Sequence, residues 1–404
     1  MIQKITYENI MTWLMCLLVV SFFIGKSFNV VGGLIVVLFL IHIIKTRSFC
    51  LFKDKIFIFL SIWCGYMCLT ALWAVNKVGA VNSASKVFLW VLLYLAIKES
   101  LSTKEKLENF FKFVAIIVLL IAFNALLQIA IGYNMFGTAI KDGRVSDLFY
   151  SDSRDYSYIL PLFVGIFGAM LSLKDRLKSH YVLYSLALFA LLISMPASGS
   201  RGPLIILAVF IPVIAWVSPY RKYAFAALGI LILCISAMVL TNDKLQDRLT
   251  TLSNPFESQK HYRIAIWKTS FEMFKDNPIL GVGFKNFRDR QFDYYKDEFE
   301  SYEINKEKNL TVHHSHSPWM DILAEQGLVG FCFGITLLVG VFLRIYKKGA
   351  FMFISTFSVL YAFSFLNSSY ILSGSRTAFF MIFAITLFVL LDNYYGLITK
   401  KDNE

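Results

Sequence analysis

Twelve long apolar runs, most of them separated by short loops, limit what this chain can fold into more than any motif does. A segment that crosses a bilayer needs roughly 20 apolar residues, fewer where flanking groups snorkel. Runs of that kind start near Ile10, Phe28, Ile56, Ala80, Phe110, Tyr156, Tyr181, Leu204, Tyr223, Leu328, Ala350 and Thr377. The chain is 57% hydrophobic and only 16% charged over 404 residues, with a mean hydropathy of +0.62. A water-soluble core could not bury that much apolar surface. The expected fold is an all-α polytopic membrane protein with about twelve transmembrane helices, residues 1–404 forming a single integral membrane domain.

The net charge of +12 would suit nucleic acid if it formed a patch. Instead the cations punctuate the apolar runs. Lys45, Arg47, Lys53 and Lys55 follow the second run, and Lys98, Lys104, Lys106 and Lys112 follow the fourth. Lys174, Arg176 and Lys178 follow the sixth, Arg221 and Lys222 the eighth, Arg344, Lys347 and Lys348 the tenth, and Lys400 and Lys401 the last. The alternate short loops are poorer in charge: Lys26, then Lys77, then Lys141, Arg144 and Arg154, then Arg201, then Arg376. By the positive-inside rule both termini are expected in the cytoplasm. The partners expected on this basis are membrane lipids, not nucleic acid. Five of the six cysteines, Cys16, Cys64, Cys68, Cys234 and Cys332, lie in apolar runs and Cys50 in a basic loop, so no disulfide framework is expected. The first apolar run reads as a permanent span, not a cleaved leader.

One connection is long. Residues 241–317, Thr241–Ser317, separate the ninth and tenth runs on the expected outer face. Its aromatic content argues for order, and long ordered loops are usually functional. Ser258–Asn277 reads as a helix with Ile264, Trp267, Phe271 and Phe274 on one apolar face, stopped by Asn277-Pro278. Gly281-Val282-Gly283 reads as a turn, and Asp293–Glu307 as a second helical segment.

The candidate chemistry gathers on the same face. His313, His314 and His316 precede a helix start at which Ser317 is the expected N-cap and Pro318 the first helical residue. A short amphipathic turn with Asp321 and Glu325 follows, then Gly327 and Gly330. The histidines have three readings: a metal site, caps or headgroup contacts, or general base catalysis by a neutral imidazole. No ordered carboxylate set accompanies them, which disfavours a metal. Arg201, in Ser198-Gly199-Ser200-Arg201-Gly202-Pro203, combines a turn-forming backbone with a helix N-terminus, a recipe for anion binding. Ser-Gly-Ser-Arg recurs at Ser373–Arg376. Two such arginines could grip a diphosphate; the alternative is that both are interfacial anchors. Arg263, one turn before Trp267, and Arg288, past the glycine turn, are further candidate cations whose plain alternative is solvation on a helix surface.

His316-Ser317, nine residues, Gly327, two residues, Gly330 resembles the O-antigen ligase pattern of His, then Asn, Ser or Gln, nine residues, Gly, two residues, and Gly, Thr or Tyr. Ser200-Arg201-Gly202 is similar to a segment of the wider ligase and polymerase superfamily. So is the loop series Arg263, Trp267, Pro278, Gly281-Val282-Gly283 and Phe287. Gly143-Arg144-Val145 with Leu148-Phe149 resembles an earlier outer-loop signature, although Ser151-Asp152-Ser153-Arg154 stands where that family often has Asn-Pro-Asn. The resemblance covers roughly residues 140–330. It implies a GT-C-like membrane glycosyltransferase, inverting and independent of metal, with no nucleotide or other cofactor. Such a ligase transfers O-antigen polysaccharide from undecaprenyl diphosphate to lipid A-core oligosaccharide on the periplasmic face of the bacterial inner membrane. On that reading His316 is the base or orients the acceptor, and Arg201 and Arg263 bind the diphosphate. Arg288, Arg376, His313, His314 and Ser317 would support the substrates, and Gly327 would let the short helix break against the bundle.

Two other classes compete. An O-antigen polymerase would use the same carrier, but commonly shows two large outer loops, whereas Tyr133–Asp155 here is short. A polysaccharide flippase or other transporter would place ionisable residues near the bilayer midplane, often in an inverted repeat; neither is evident here. A scaffold without activity would leave the order of the motifs unexplained.

Overall fold

The computed structural model describes residues 6–140, 144–145, 159–173, 178–241, 246, 263–294, 312–365, 367 and 372–400. The side chains of residues 178, 179, 201, 345–348 and 400 lie outside that description. In chain order the α-helices are α1 (Tyr7–Ser21), α2 (Ser27–Thr46), α3 (Lys55–Leu69), α4 (Lys77–Ser100), α5 (Lys104–Ile131), α6 (Val164–Ser172) and α7 (Lys178–Ser194). They continue with α8 (Arg201–Val217), α9 (Arg221–Leu240), α10 (Arg263–Asp276), α11 (Phe287–Tyr294), α12 (Pro318–Ser355), α13 (Phe357–Ala362) and α14 (Ser375–Lys400). No strand occurs among the described residues. The described residues are all-α. Among the described residues eight helices are long and apolar enough to cross a membrane: α2, α3 extended to Leu72, α4, α5, α7 with its extension to Ser198, α9, the Pro318–Arg344 part of α12, and α14. Four shorter apolar helices, Tyr7–Ser21, Leu160–Ser172, Gly202–Val217 and Gly349–Ala362, stand where four further runs are expected.

Helix α14 is the hub. Every residue from Ala378 to Asp392 is buried, and Phe22, Phe28 and Trp90 stack edge-on or tilted against Phe379 at 4.8–5.3 Å between ring centroids. Around it the outward faces of the helices stay apolar, as lipid contact requires: Trp13, Val30, Ile62, Phe123 and Leu233 are all exposed. In α9 only Leu231 is buried, which makes it a peripheral helix.

Polar side chains fix which helix ends share a face. Lys106 at the start of α5 pairs with Glu8 at the start of α1 at 2.7 Å. Lys98 near the end of α4 pairs with Asp54 at the start of α3 at 2.5 Å, and the Tyr94 hydroxyl donates to the same carboxylate at 3.0 Å. The Tyr394 hydroxyl in α14 donates to Glu108 in α5 at 2.8 Å, and Arg344 in α12 pairs with Asp392. The cation-rich ends thus meet at one end of the bundle. The opposite end gathers the α1–α2 turn, the α3–α4 turn, α10, α11 and the histidine segment, through bonds such as Asn76 N–H to Asn286 Oδ1 at 2.6 Å and Trp73 Nε1–H to the Gly281 carbonyl at 3.1 Å.

Two helices of the long loop lie within the described residues. In α10 the shared face of Ile264, Trp267, Phe271 and Phe274 is exposed or half-buried. It buries Ala265, Ile266, Thr269, Ser270 and Met273, while Ile264 and Phe271 are each 45% exposed. The small residues let α10 lie close against the backbone of α12, and the large apolar residues face outward at the membrane end of the bundle. The second helical segment in the described region is α11, Phe287–Tyr294; of Asp293–Glu307 only Asp293 and Tyr294 lie within the described residues, as does only Arg263 onward of Ser258–Asn277.

Candidate active site

The site is built on a broken helix. In α12 the backbone of Gly327 is non-helical, at φ 61°, ψ −157°, so the short segment Pro318–Gln326 is set off from the long one that follows. A break frees carbonyls before it and N–H groups after it, and these need partners. The segment Pro278–Gly283 supplies them. Leu328 N–H bonds to the Pro278 carbonyl at 2.8 Å and Val329 N–H to Ile279 at 3.2 Å; Val282 N–H bonds to Ala324 at 2.9 Å and Gly283 N–H to Glu325 at 3.0 Å. The two glycines allow this approach. A Cβ on Gly281, at φ 70°, would sit 2.4 Å from the Glu325 carbonyl carbon, and one on Gly327 would sit 2.5 Å from the Ile279 oxygen.

Aromatic side chains of α3 lock the clasp. Trp63 Nε1–H donates to Gln326 Oε1 at 2.8 Å, and the Tyr66 hydroxyl donates to the Gln326 carbonyl at 2.8 Å, with the Leu280 carbonyl 3.1 Å away. Thr70 Oγ1 accepts from Phe284 N–H at 2.8 Å. Glu325, fully enclosed, accepts from Lys285 N–H at 2.9 Å and Phe287 N–H at 3.1 Å. Its two oxygens thereby cap the N–H groups at the start of α11. The series from Pro278 to Phe287 is thus a structural cradle for the helix that carries the histidines.

The histidines occupy a tight turn before Pro318. His316 adopts a left-handed φ of 56°, rare for a residue with a Cβ. Its N–H donates to His314 Nδ1 at 3.2 Å, which makes Nδ1 the acceptor nitrogen of His314, and the two rings meet edge-on at 4.3 Å. Asp321 holds the turn. Its Oδ1 accepts from Ser315 N–H at 3.1 Å, and its Oδ2 accepts from the Ser373 hydroxyl, also at 3.1 Å. The Ser315 hydroxyl donates to the Ser317 carbonyl at 2.8 Å. Ser317 is the N-cap residue and Pro318 the first helical residue, as expected, but the Ser317 side chain makes no capping bond; its Oγ is buried without a hydrogen-bond partner. Asp321, in the first turn, instead bonds back to the segment before the helix through Ser315 N–H. Removing the Asp321 carboxylate should free Ser315 and Ser373 together. Asp321→Ala is expected to lower activity far more than Ser373→Ala, which leaves the bond to Ser315 in place; an activity assay on both variants checks this.

The electrostatics favour the neutral form of His313 and His316. Burial and then the positive charge of Arg263 push His316 down to about 4. Burial, then Arg288 and Lys285, lower His313. The structure therefore brings Arg263 into range of His316, and Arg288 and Lys285 into range of His313. Both arginines are exposed on their helices. Lys285, at φ 64°, was not among the residues singled out from the sequence. Its one sequence signal is its place between the glycine turn and Phe287. Arg201 is the first residue of α8, one position after the extended Ser200 and two after Gly199 at φ 61°, and its side chain lies outside the description. Arg376 turns toward the α1–α2 turn: its Nη2–H donates to the Gly25 carbonyl at 3.2 Å, and its guanidinium sits over the Phe28 ring at 5.7 Å. The repeated tetrapeptide nevertheless touches the site, through Ser373 and Asp321. Of the earlier outer-loop signature only Arg144 and Val145 lie within the described residues, where Val145 N–H bonds to the Ala197 carbonyl at 3.1 Å. Among the described residues no three His, Cys, Asp or Glu side chains converge as metal ligands.

These features define a polytopic helical membrane protein whose histidine site lies at the end of the bundle opposite the Lys106–Glu8 and Lys98–Asp54 pairs. Residues 186–335 match the family model described as O-antigen ligase, and over that segment the chain is similar to that family. The matched segment runs from within α7 to the long part of α12 and contains Arg201, Arg263, Arg288, the three histidines, Ser317 and Gly327. No curated protein matches the chain.

Proposed function

We propose that the protein is an O-antigen ligase: an inverting, metal-independent membrane glycosyltransferase that moves O-antigen polysaccharide from undecaprenyl diphosphate to the lipid A-core oligosaccharide. The observation that carries this is a half-buried His316 in a strained turn, lowered by its burial and by the charge of Arg263, inside the segment that matches the family. In this reading the four shorter apolar helices also cross the bilayer. The ion-paired end faces the cytoplasm with both termini, the histidine end faces the periplasm, and the loop 241–317 is part of the active site.

The chemistry follows from the charges. An acceptor hydroxyl oxygen attacks the anomeric carbon of the donor, the bond from that carbon to the diphosphate oxygen breaks, and the hydroxyl proton passes to His316. The departing undecaprenyl diphosphate gains negative charge, which Arg201 and Arg263 stabilise, with Arg288 and Lys285 farther along the same cationic wall. A free-enzyme value near 4 makes His316 a weak base but an empty proton acceptor at any pH near neutrality. Arrival of a diphosphate beside Arg263 offsets that arginine's charge and strengthens the base at the moment it is needed. In this reading His313 and His314 contact the acceptor, and the fully buried Ser317 supports the turn that presents them. The His316 turn, the match to the ligase pattern and the short Tyr133–Asp155 loop favour a ligase over a polymerase, which would run the same transfer onto another carrier-linked chain.

Substituting Arg263 by alanine should raise the KM for the lipid-linked donor more than that for the acceptor; equal effects on both in a reconstituted assay would remove the diphosphate role. The acid limb of kcat/KM should fall well below pH 6.5, because His316 is lowered. The sign for stability is the same: His316 costs nothing above its unfolded value near 6.5, and stability declines as pH falls from there toward 4, where the unfolded chain takes up a proton that the folded one refuses. Arg263→Gln should move the acid limb upward. A limb that stays at or above 6.5 in the unaltered enzyme would contradict the assignment.

A further inference from the structure

A cavity of about 500 Å³ lies at the basic end of the bundle, away from the histidines. One face of α7, the last turns of α8 and the first turns of α9 wall it, from Tyr181 and Ser218 at its polar end to Leu192 and Leu231 at its apolar end. Tyr181 and Leu192 are eleven residues apart on α7, so the slot is roughly 16 Å long, about half the thickness of a bilayer's hydrocarbon core. Its lining is aliphatic and aromatic except at the end where α9 begins. There the N-cap residue Tyr220 gives α9 no side-chain hydrogen bond, and the first turn contains no acid. Arg221 and Lys222 are exposed beside it, between Tyr220 and Tyr223, both of which line the cavity.

We propose that this cavity binds one anionic phospholipid, with an acyl chain in the slot and the phosphate on the first turn of α9 against Arg221 and Lys222. The observations each select part of that ligand. The length and lining of the slot fit a single chain of one leaflet. The uncapped N–H groups and the two cations fit a phosphate with net negative charge. The position of α9 at the edge of the bundle leaves lateral access from the lipid. The proposal does not depend on the transfer reaction proposed above.

The test uses the full-length protein in detergent micelles, examined by native mass spectrometry with added phosphatidylglycerol or phosphatidylcholine of identical acyl chains. The expected result is at least a tenfold preference for phosphatidylglycerol in the unaltered protein. Arg221→Gln with Lys222→Gln should abolish the preference, and these exposed changes leave the packing intact. Ala227→Trp, which fills the slot, should remove binding of both lipids, while Leu233→Trp on the exposed face should change nothing. Equal binding of the two lipids would overturn the proposal, as would a preference that survives the double substitution. Occupancy by a polyprenyl diphosphate that phosphatidylglycerol cannot displace would overturn it too, and would assign the slot to the donor lipid.

Discussion

Replacing His316 by alanine is expected to lower the transfer rate by roughly 10²–10⁴-fold, the range a general base contributes, with the protein still inserted and folded. The geometry provides a control. His316 sits at a φ of 56°, where a residue with a Cβ is strained and glycine is not. His316→Gly should therefore melt at the same temperature as the unaltered protein or higher, and be as inactive as the alanine variant. If activity were lost only because the turn collapses, the glycine variant would retain more of it. Near-normal transfer by purified His316→Ala, in a reconstituted assay, would show that the imidazole does not take the proton.

Gly281→Val is expected to be the most damaging change to the fold. A side chain there meets the Glu325 carbonyl carbon and Gln326 nitrogen at 2.4–2.5 Å, both backbone atoms that cannot turn aside, and requires a left-handed φ of 70° as well. Overpacking and backbone strain together cost on the order of 3 kcal/mol or more. The clasp of Pro278–Gly283 on the broken helix would open, exposing the freed carbonyls of Ala324 and Glu325. The measurement is thermal unfolding of the purified variant, read by tryptophan fluorescence since Trp63 and Trp73 bond directly into the clasp. An unchanged melting temperature would mean that the clasp is not what holds the histidine segment.

Much of this architecture is legible in the sequence because bilayer constraints are simple. Apolar length marks the spans, alternating cations mark their ends, and the structure joins those ends through pairs such as Lys106–Glu8 and Lys98–Asp54. Pro318 as a helix start and Gly327 as a break are also legible, since each rests on a backbone property of one residue. The buried face of α10 is not. In water the large residues Ile264 and Phe271 would turn inward; at a membrane surface the lipid accepts them, and Thr269 and Ser270 make the close contact instead. Helix α11 is missed because Phe287–Tyr294 has a polar composition and owes its start to Glu325, 38 residues later. Asp321 and Lys285 are missed as site residues for the same reason: their roles come from partners brought by tertiary packing, Ser373 for one and His313 for the other.

The most direct test of the ligase assignment is the lipopolysaccharide of a strain lacking this gene, separated by gel, together with the glycans on its undecaprenyl carrier. The account predicts bare lipid A-core, with full-length polymer stranded on undecaprenyl diphosphate. Lipid A-core capped by a single repeat unit, with no polymer on the carrier, would contradict it and make the protein a polymerase.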